Sequence, residues 1–484
     1  MGNGRGVNVI MKNKRNSLFL LLGPALFFLC YFFLPETMFG TAEARGAIGT
    51  VAWMALWWVT GPIDYAVTAF LPIAVNAIFN LVDMSQVISN YASETILLLL
   101  GASIINVTWE ITGLDRRIAA KCLSLVGGKL STQIVFWFLL SAALSAILPN
   151  AVVCATITPI AVSMLKFIGE DDIGESKNGS LILLTIAYAA GVGGLATPLG
   201  GAMNLVTVDY IEQLTGEEFM YTSWVVRFLP IMVVLVVSNI AFLLIRHCKK
   251  GSKIAGSKEY FAKVYSEMPK MTKEEKISFA LFAIATILAF TRQFYQDYLP
   301  GLKPAYVFVT CAIISFLIKK SDGERLMKWK VVQGKIIWDL IYIFAGGMAL
   351  GTLINKSGAA EAIGQAVSNA NLGEGFLIVF IIVLFTILLS DVTSNTATAA
   401  VAIPIVISIV NGMGKDPIPY VYIASIGVNL SYMLPTSIRA IPVGYGLKPK
   451  FMFKEGVMMT VIVVALMSIT AYLLLNYWPL FSTV

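Results

Sequence analysis

The chain has 484 residues, of which 57% are hydrophobic and only 13% charged, and its mean hydropathy is +0.79. Soluble domains carry about 25% charged residues, so the composition excludes a soluble globular protein and points to an all-α polytopic membrane protein in contact with the lipid bilayer. The net charge of +7 does not argue for a nucleic-acid partner, because the basic residues sit between hydrophobic segments, where they set membrane orientation.

At about 20 residues per span there is room for roughly ten to twelve spans. The first, 17–34, follows Lys12, Lys14 and Arg15; it lacks a small-residue cleavage site and reads as a transmembrane helix, not a leader. Spans 2 and 3 lie within 47–79, joined near Gly61-Pro62-Ile63-Asp64, and span 4 covers 95–112. The stretch 131–168, with Pro149-Asn150 near its middle, is long for one span and short for two. A re-entrant hairpin that enters and leaves on one side suits it. The stretch 180–211 begins apolar and then breaks at Thr197-Pro198-Leu199-Gly200-Gly201. Proline and glycine at this density unwind a helix, and irregular backbone at membrane depth is tolerated only inside protein or beside a water-filled cavity.

After span 6 (223–245) comes the lysine-rich segment 246–276, read as a cytoplasmic connector. Spans 7 to 9 follow at 277–294, 305–318 and 336–354. A second hairpin is expected at 372–414, a second broken helix at 419–446 around Leu434-Pro435, and a last span at 457–475. This makes about eleven transmembrane helices and two hairpins.

The order repeats. Gly101 and Gly113 are 12 residues apart, as are Gly346 and Gly358; Asn150 follows Gly113 by 37, and Asn395 follows Gly358 by 37. Three matches in one register indicate two repeats. The chain thus divides into an N-terminal segment (1–46), a first repeat (47–245), the connector and a second repeat (277–484). Lysine and arginine place the N-terminus, 116–121, 246–276, 319–335 and 448–454 on the cytoplasmic side. With each hairpin adding no net crossing, the repeats have inverted topology, the arrangement that builds a site at the bilayer midplane. The C-terminus is then extracellular, and the plasma (cytoplasmic) membrane is the expected location.

The polar run 391–400 (DVTSNTATAA) interrupts a long apolar stretch. Buried polar groups cost free energy unless they find partners, so this run is expected at a hairpin tip facing a ligand. Half-helix N-termini offer free N–H groups and about half a positive charge, and asparagine adds an amide donor. Asn150 and Asn395, at equivalent tips, would each hold one anionic group. Arg439, in the second break, is the charge most out of place, since intramembrane charges are rare and usually functional. Two readings stay open for it: an internal ion pair with Asp391, or charge compensation for a bound anion. Glu110 and Arg227 are expected at the membrane interface, and Trp53, Trp57 and Trp58 against lipid or a partner subunit.

Ser394-Asn395-Thr396, with the following Ala397-Thr398-Ala399-Ala400 and Ile403-Pro404, resembles the Ser-Asn-Thr signature of the divalent anion/sodium symporter (DASS, INDY-like) family. The resemblance covers essentially the whole chain. It implies a homodimer in which each protomer has a scaffold and a moving transport domain, with a di- or tricarboxylate and sodium held between hairpin tips and breaks. Carried over, Ser394, Asn395 and Thr396 form one half-site. Asn150 and Ala151 form the other, together with Thr197, Pro198, Gly200, Gly201, Ser437 and Ile438 from the breaks.

The first signature reads Pro149-Asn150-Ala151, so its hydroxyls are missing. Arg439 stands close to where the family places a sodium ion. The departure implies that Arg439, with Asp391, supplies the charge that sodium gives in relatives. The expected activity is sodium-independent exchange of C4/C5 dicarboxylates (the succinate, malate, fumarate or 2-oxoglutarate class) by an elevator-type movement. The alternative is sodium-coupled symport on the same fold. No catalytic residues, metal site or cofactor are expected: the five cysteines (Cys30, Cys122, Cys154, Cys248, Cys311) are scattered, His247 is the one histidine, and no nucleophile–base pair or metal motif occurs.

Overall fold

The computed structural model describes residues 3–123, 127–248, 254, 256–321, 323–363 and 375–483. These form α-helices with short connectors, and among the described residues the only extended pairing is a single bridge between Lys319 and Arg325. Among the described residues six helices are long and apolar enough to cross a membrane, and further apolar helices are shorter. The chain is an all-α polytopic membrane protein.

In chain order the main helices are α1 (Asn3–Phe33), α2 (Ala42–Thr60), α3 (Leu71–Phe79), α4 (Glu94–Thr112), α5 (Leu114–Leu123), α6 (Leu130–Ser145) and α7 (Asn150–Phe167). Next come α8 (Lys177–Gly194), α9 (Ala202–Thr215), α10 (Tyr221–His247), α11 (Ser257–Ser266), α12 (Lys273–Phe290), α13 (Pro304–Leu317) and α14 (Trp338–Lys356). The last are α15 (Phe376–Val392), α16 (Asn395–Gly412), α17 (Ile418–Val428), α18 (Ala440–Gly444) and α19 (Pro449–Tyr477).

Both expected hairpins are pairs of helices, α6/α7 and α15/α16, with Pro149 and Ser394 at their tips. Both breaks are present, between α8 and α9 and between α17 and α18. The segment 246–276 is not a plain connector, since α11 lies within it; residues 249–253 and 255, and the expected hairpin start at 372–374, lie outside the described residues. The first span begins well before residue 17, as part of the continuous α1.

The four spaced glycines do paired work. Gly113 (φ +77°) and Gly358 (φ +83°) end α4 and α14 in the left-handed region that favours glycine. Gly101 lets α4 approach α13: a Cβ there would stand 2.8 Å from the Phe308 carbonyl carbon. Gly346 lets α14 approach the chain just before α3, where a Cβ would fall 2.4 Å from the Ala69 carbonyl oxygen. Thus α4 packs on α12 and α13, whereas α14 packs on the helices around α3, and the two halves interlock.

One expectation is corrected. Trp57 and Trp58 face inward: Trp57 Nε1 donates to the Phe19 carbonyl (2.9 Å) and Trp58 Nε1 to the Tyr65 carbonyl (3.1 Å), because α2 packs along α1. Arg227, near the start of α10, is buried in the protein. It donates to the Ser223 carbonyl (2.8 Å) and the Thr483 carbonyl (2.9 Å) and stacks over Tyr422.

Candidate functional site

The second hairpin tip is built by helix-end chemistry. Thr393 is extended, which ends α15, and Ser394 caps α16 by accepting the Ala397 N–H (3.1 Å). Asn395 therefore starts α16 with its side chain turned into the protein, only 2% exposed. Its Oδ1 accepts from Ser390 Oγ (3.0 Å) and Ser431 Oγ (3.2 Å), while its Nδ2 has no partner. The buried amide thus has a satisfied oxygen and a free N–H₂ donor. Thr396 is buried beside it, and Ser394 is half-buried.

The second break lies against this tip. The segment between α17 and α18 leaves its backbone groups without helical partners, and two charged side chains take them up. Asp391, fully buried in the last turn of α15, accepts the N–H groups of Tyr432 (2.7 Å) and Met433 (2.8 Å) on Oδ1; its Oδ2 has no partner. Arg439 is 1% exposed and donates to neutral oxygens only. Nε reaches the Leu434 carbonyl (2.9 Å), Nη1 the Ser431 carbonyl (3.0 Å) and hydroxyl, and Nη2 the Thr436 hydroxyl (2.8 Å). Thr436 in turn donates to the Asp391 carbonyl (2.9 Å).

Among the described residues no ion pair joins Asp391 to Arg439, although the two charges act on one another through space. The expected pairing therefore gives way to two separate caps of one unwound segment. Ser437 sits in that segment at φ +52°, a strained value for a serine, and is exposed, whereas Ile438 is buried.

The first half-site is plainer. Pro149 precedes α7 and offers no side-chain cap, so the first-turn N–H groups of Asn150 and Ala151 are uncapped. Asn150 is half-buried and its Nδ2 stands near Gly201, within 3.8 Å of where a Cβ would be. Thr197 is turned away: its hydroxyl donates to the Ala146 carbonyl and holds the break against α6. Pro198 and Gly200 are buried, and Gly200 is pressed between the Gly194 and Ser145 carbonyls.

Several contacts tie the half-sites together. Asn429 Nδ2 donates to Asn204 Oδ1 (2.8 Å), Thr207 Oγ1 to Ser425 Oγ (3.0 Å), and Cys154 Sγ to the Ile438 carbonyl (3.5 Å). Asn204 also donates to the carbonyls of Gly194 (2.6 Å) and Thr197 (2.8 Å), bracing the first break.

A cavity of about 760 Å³ reaches the first tip. Pro149, Ala151, Gly201 and Asn106 line it, and Ile441, just past the second break, contributes to its wall. Glu110, Asp115, Arg116 and Lys335 also line it, with Glu110 exposed and ion-paired to Lys335. Burial pushes the Asp115 carboxyl up from its ordinary range, and Thr156 of α7 donates to it (3.2 Å).

Sequence reasoning singled out Asn395, Asp391 and Arg439 but missed Ser390, Ser431 and Asn429. A signal was present: Asn429 and Ser431 are polar residues directly after the apolar run of α17.

The comparisons agree with this architecture. The sequence matches a family model described as CitMHS, citrate transporter, over residues 55–427 and 312–483. It is 27% identical over 445 residues to the sodium-dependent dicarboxylate transporter SdcS of Staphylococcus saprophyticus subsp. saprophyticus, covering 88% of this chain and 85% of that one. The protein of the same name from Staphylococcus aureus gives the same identity and coverage. Among solved structures, the Alcanivorax borkumensis YdaH transporter has a TM-score of 0.51 at 11% identity, covering 82% of this chain and 88% of that one. These relatives bear out the resemblance to the divalent anion/sodium symporters, and the family is one of transporters, not enzymes. The chain belongs to the citrate transporter family.

Proposed function

We propose that this protein exchanges one C4/C5 dicarboxylate for another across the plasma membrane, without sodium. The observation that carries the reading is Arg439, a fixed buried cation that occupies the carbonyl oxygens of an unwound segment beside the open donor of Asn395. Carbonyls of such a segment are where half-helix transporters hold a coupling cation. A sodium ion leaves with the substrate; a guanidinium stays. Moving an empty site with a surplus positive charge across the membrane is costly, and a bound dianion removes that cost. Asp391 spends its Oδ1 on two backbone N–H groups and makes no direct contact with the guanidinium.

In this reading Asn395 with the first turn of α16 holds one carboxylate, and Asn150 with Ala151 at the first turn of α7 holds the other. Gly201 gives the ligand backbone access at the first break, and Ser437 and Ile438 shape the second. Thr197, Pro198 and Gly200 support the first break without touching ligand. The two halves are inverted repeats, supported by the paired roles of Gly101/Gly346 and Gly113/Gly358. The N-terminus is cytoplasmic, and the helices around α4 and α14 form a scaffold past which the hairpins move as an elevator in a homodimer, as the family resemblance implies.

The relatives' names favour a second reading, sodium-coupled symport of a dicarboxylate. Counterflow in proteoliposomes with a panel of succinate, malate, fumarate, 2-oxoglutarate and citrate, in sodium-free buffer, separates the two. Exchange of at least one C4 or C5 dicarboxylate is expected. Uptake into empty vesicles driven by a sodium gradient would instead establish symport.

A further inference from the structure

We propose that Ser431 is the positioning residue that aims the Asn395 carboxamide and couples it to Arg439, so that the guanidinium strengthens binding of a carboxylate it does not touch. The inference rests on the reading of Asn395 as the anion donor given above.

The hydrogen bonds run in one direction. Arg439 Nη1 donates to Ser431 Oγ, and Ser431 Oγ donates to Asn395 Oδ1 (3.2 Å); Asn395 Nδ2 is left open. A chain of donors that begins on a cation polarises each member in turn, and the effect is larger in a low-dielectric interior. The open N–H₂ at the end of the chain becomes a stronger donor than an isolated amide.

Ser390 is the other hydroxyl on Asn395 Oδ1, yet it cannot do the same work. A serine hydroxyl has one hydrogen, and that of Ser390 is shared between the Val428 carbonyl (2.7 Å) and Asn395 Oδ1 (3.0 Å), which weakens its bond to the amide. The Ser431 hydroxyl donates only to Asn395 among the described residues, while its oxygen accepts from Arg439. Ser431 therefore fixes which end of the amide faces the ligand. Without it, the carboxamide is free to turn its oxygen toward the carboxylate, where it would repel it. The arrangement also explains how a buried arginine serves an anion site while its own N–H groups are spent on neutral oxygens.

The test uses the full-length protein in proteoliposomes. Succinate counterflow is measured against concentration for the wild type, Ser431→Ala and Ser431→Thr, with the thermal midpoint of each in detergent as the folding control. Ser431→Ala is expected to raise KM about tenfold, the size of one hydrogen bond to a charged group, with maximal exchange rate held within about twofold. Ser431→Thr, which keeps the hydroxyl, restores KM. An unchanged KM in Ser431→Ala, or an equal change in both variants, overturns the relay. A loss of maximal rate with unchanged KM assigns Ser431 a structural role and overturns it too. Wild-type protein that shows no dicarboxylate counterflow sinks the proposed function, and the relay with it.

Discussion

Arg439 shows how one residue sets the character of the site. Its side chain satisfies four oxygens of the second break and its neighbourhood. Truncating it strands those neutral acceptors in a buried, low-dielectric place, which costs about 1–3 kcal/mol for a buried polar group left unsatisfied. Arg439→Ala is therefore expected to lower the thermal midpoint clearly and to lose the exchange requirement, with efflux into substrate-free medium rising relative to counterflow. Arg439→Lys keeps the charge but not the geometry of the fork, so exchange is expected to persist at reduced affinity. Efflux and counterflow rates on the same vesicles check both. Asp391→Asn keeps an acceptor for the Tyr432 and Met433 N–H groups but makes those bonds neutral, so a smaller loss of stability, about 1–2 kcal/mol, is expected, with exchange retained.

At this scale the sequence was legible in part. Arg439 and Asn395 stood out because they are polar in an apolar setting. The partner of Arg439 did not. An acid one helical turn before Asn395 suggested an ion pair, but Asp391 ends α15, and the break it faces has N–H groups that need an acceptor. Backbone demand overrode the charge match, and nothing in the spacing of residues 391 and 439 reveals that.

The elements carry the architecture, and here glycine spacing is the readable part. Gly101 and Gly346 sit where two helices approach so closely that added atoms would meet backbone, which cannot turn aside as a side chain can. Gly346→Val is expected to destabilise by more than the 1–3 kcal/mol typical of overpacking, read as loss of folded protein in detergent. Gly113→Ala is the contrast. No atom lies within 4 Å of the added Cβ, so the cost is that of the left-handed backbone alone, about 1 kcal/mol. Equal losses in the two variants would contradict the packing account. The hairpins were legible for a related reason: a proline–asparagine or serine–asparagine step in a stretch too long for one span forces a turn at membrane depth. Helix α11 was not, because its lysine-rich composition reads as loop, and its place is set by contacts with α5 and α7.

On the scale of the whole molecule, the cavity and one buried ion pair lie at opposite ends. Helix α12 starts at the face shared with the cavity, where Arg117 of α5 bonds Glu275 (2.6 Å). It ends at Arg292, which donates to Glu218 (2.9 Å) and to the carbonyls of Leu299 (3.0 Å) and Pro300 (2.7 Å). Glu218 belongs to the turn between α9 and α10; Arg292 belongs to the turn between α12 and α13. Under the proposed elevator movement these turns would separate, so the pair would hold the form in which the cavity is open at the other face. Arg292→Ala is expected to shift the protein away from that form. The readout is the rate at which a membrane-impermeant thiol reagent labels Ala151→Cys through the cavity, which should fall when Arg292 is removed. An unchanged or faster rate would mean that this pair is not a latch.

The central claim is that a fixed guanidinium replaces a travelling cation. It is tested most directly by loading proteoliposomes with succinate and measuring its efflux in sodium-free buffer, with and without external succinate. Fast efflux only when external dicarboxylate is present, unchanged by added sodium, is the expected result. Efflux into substrate-free medium at a comparable rate, or efflux that requires sodium, would contradict it.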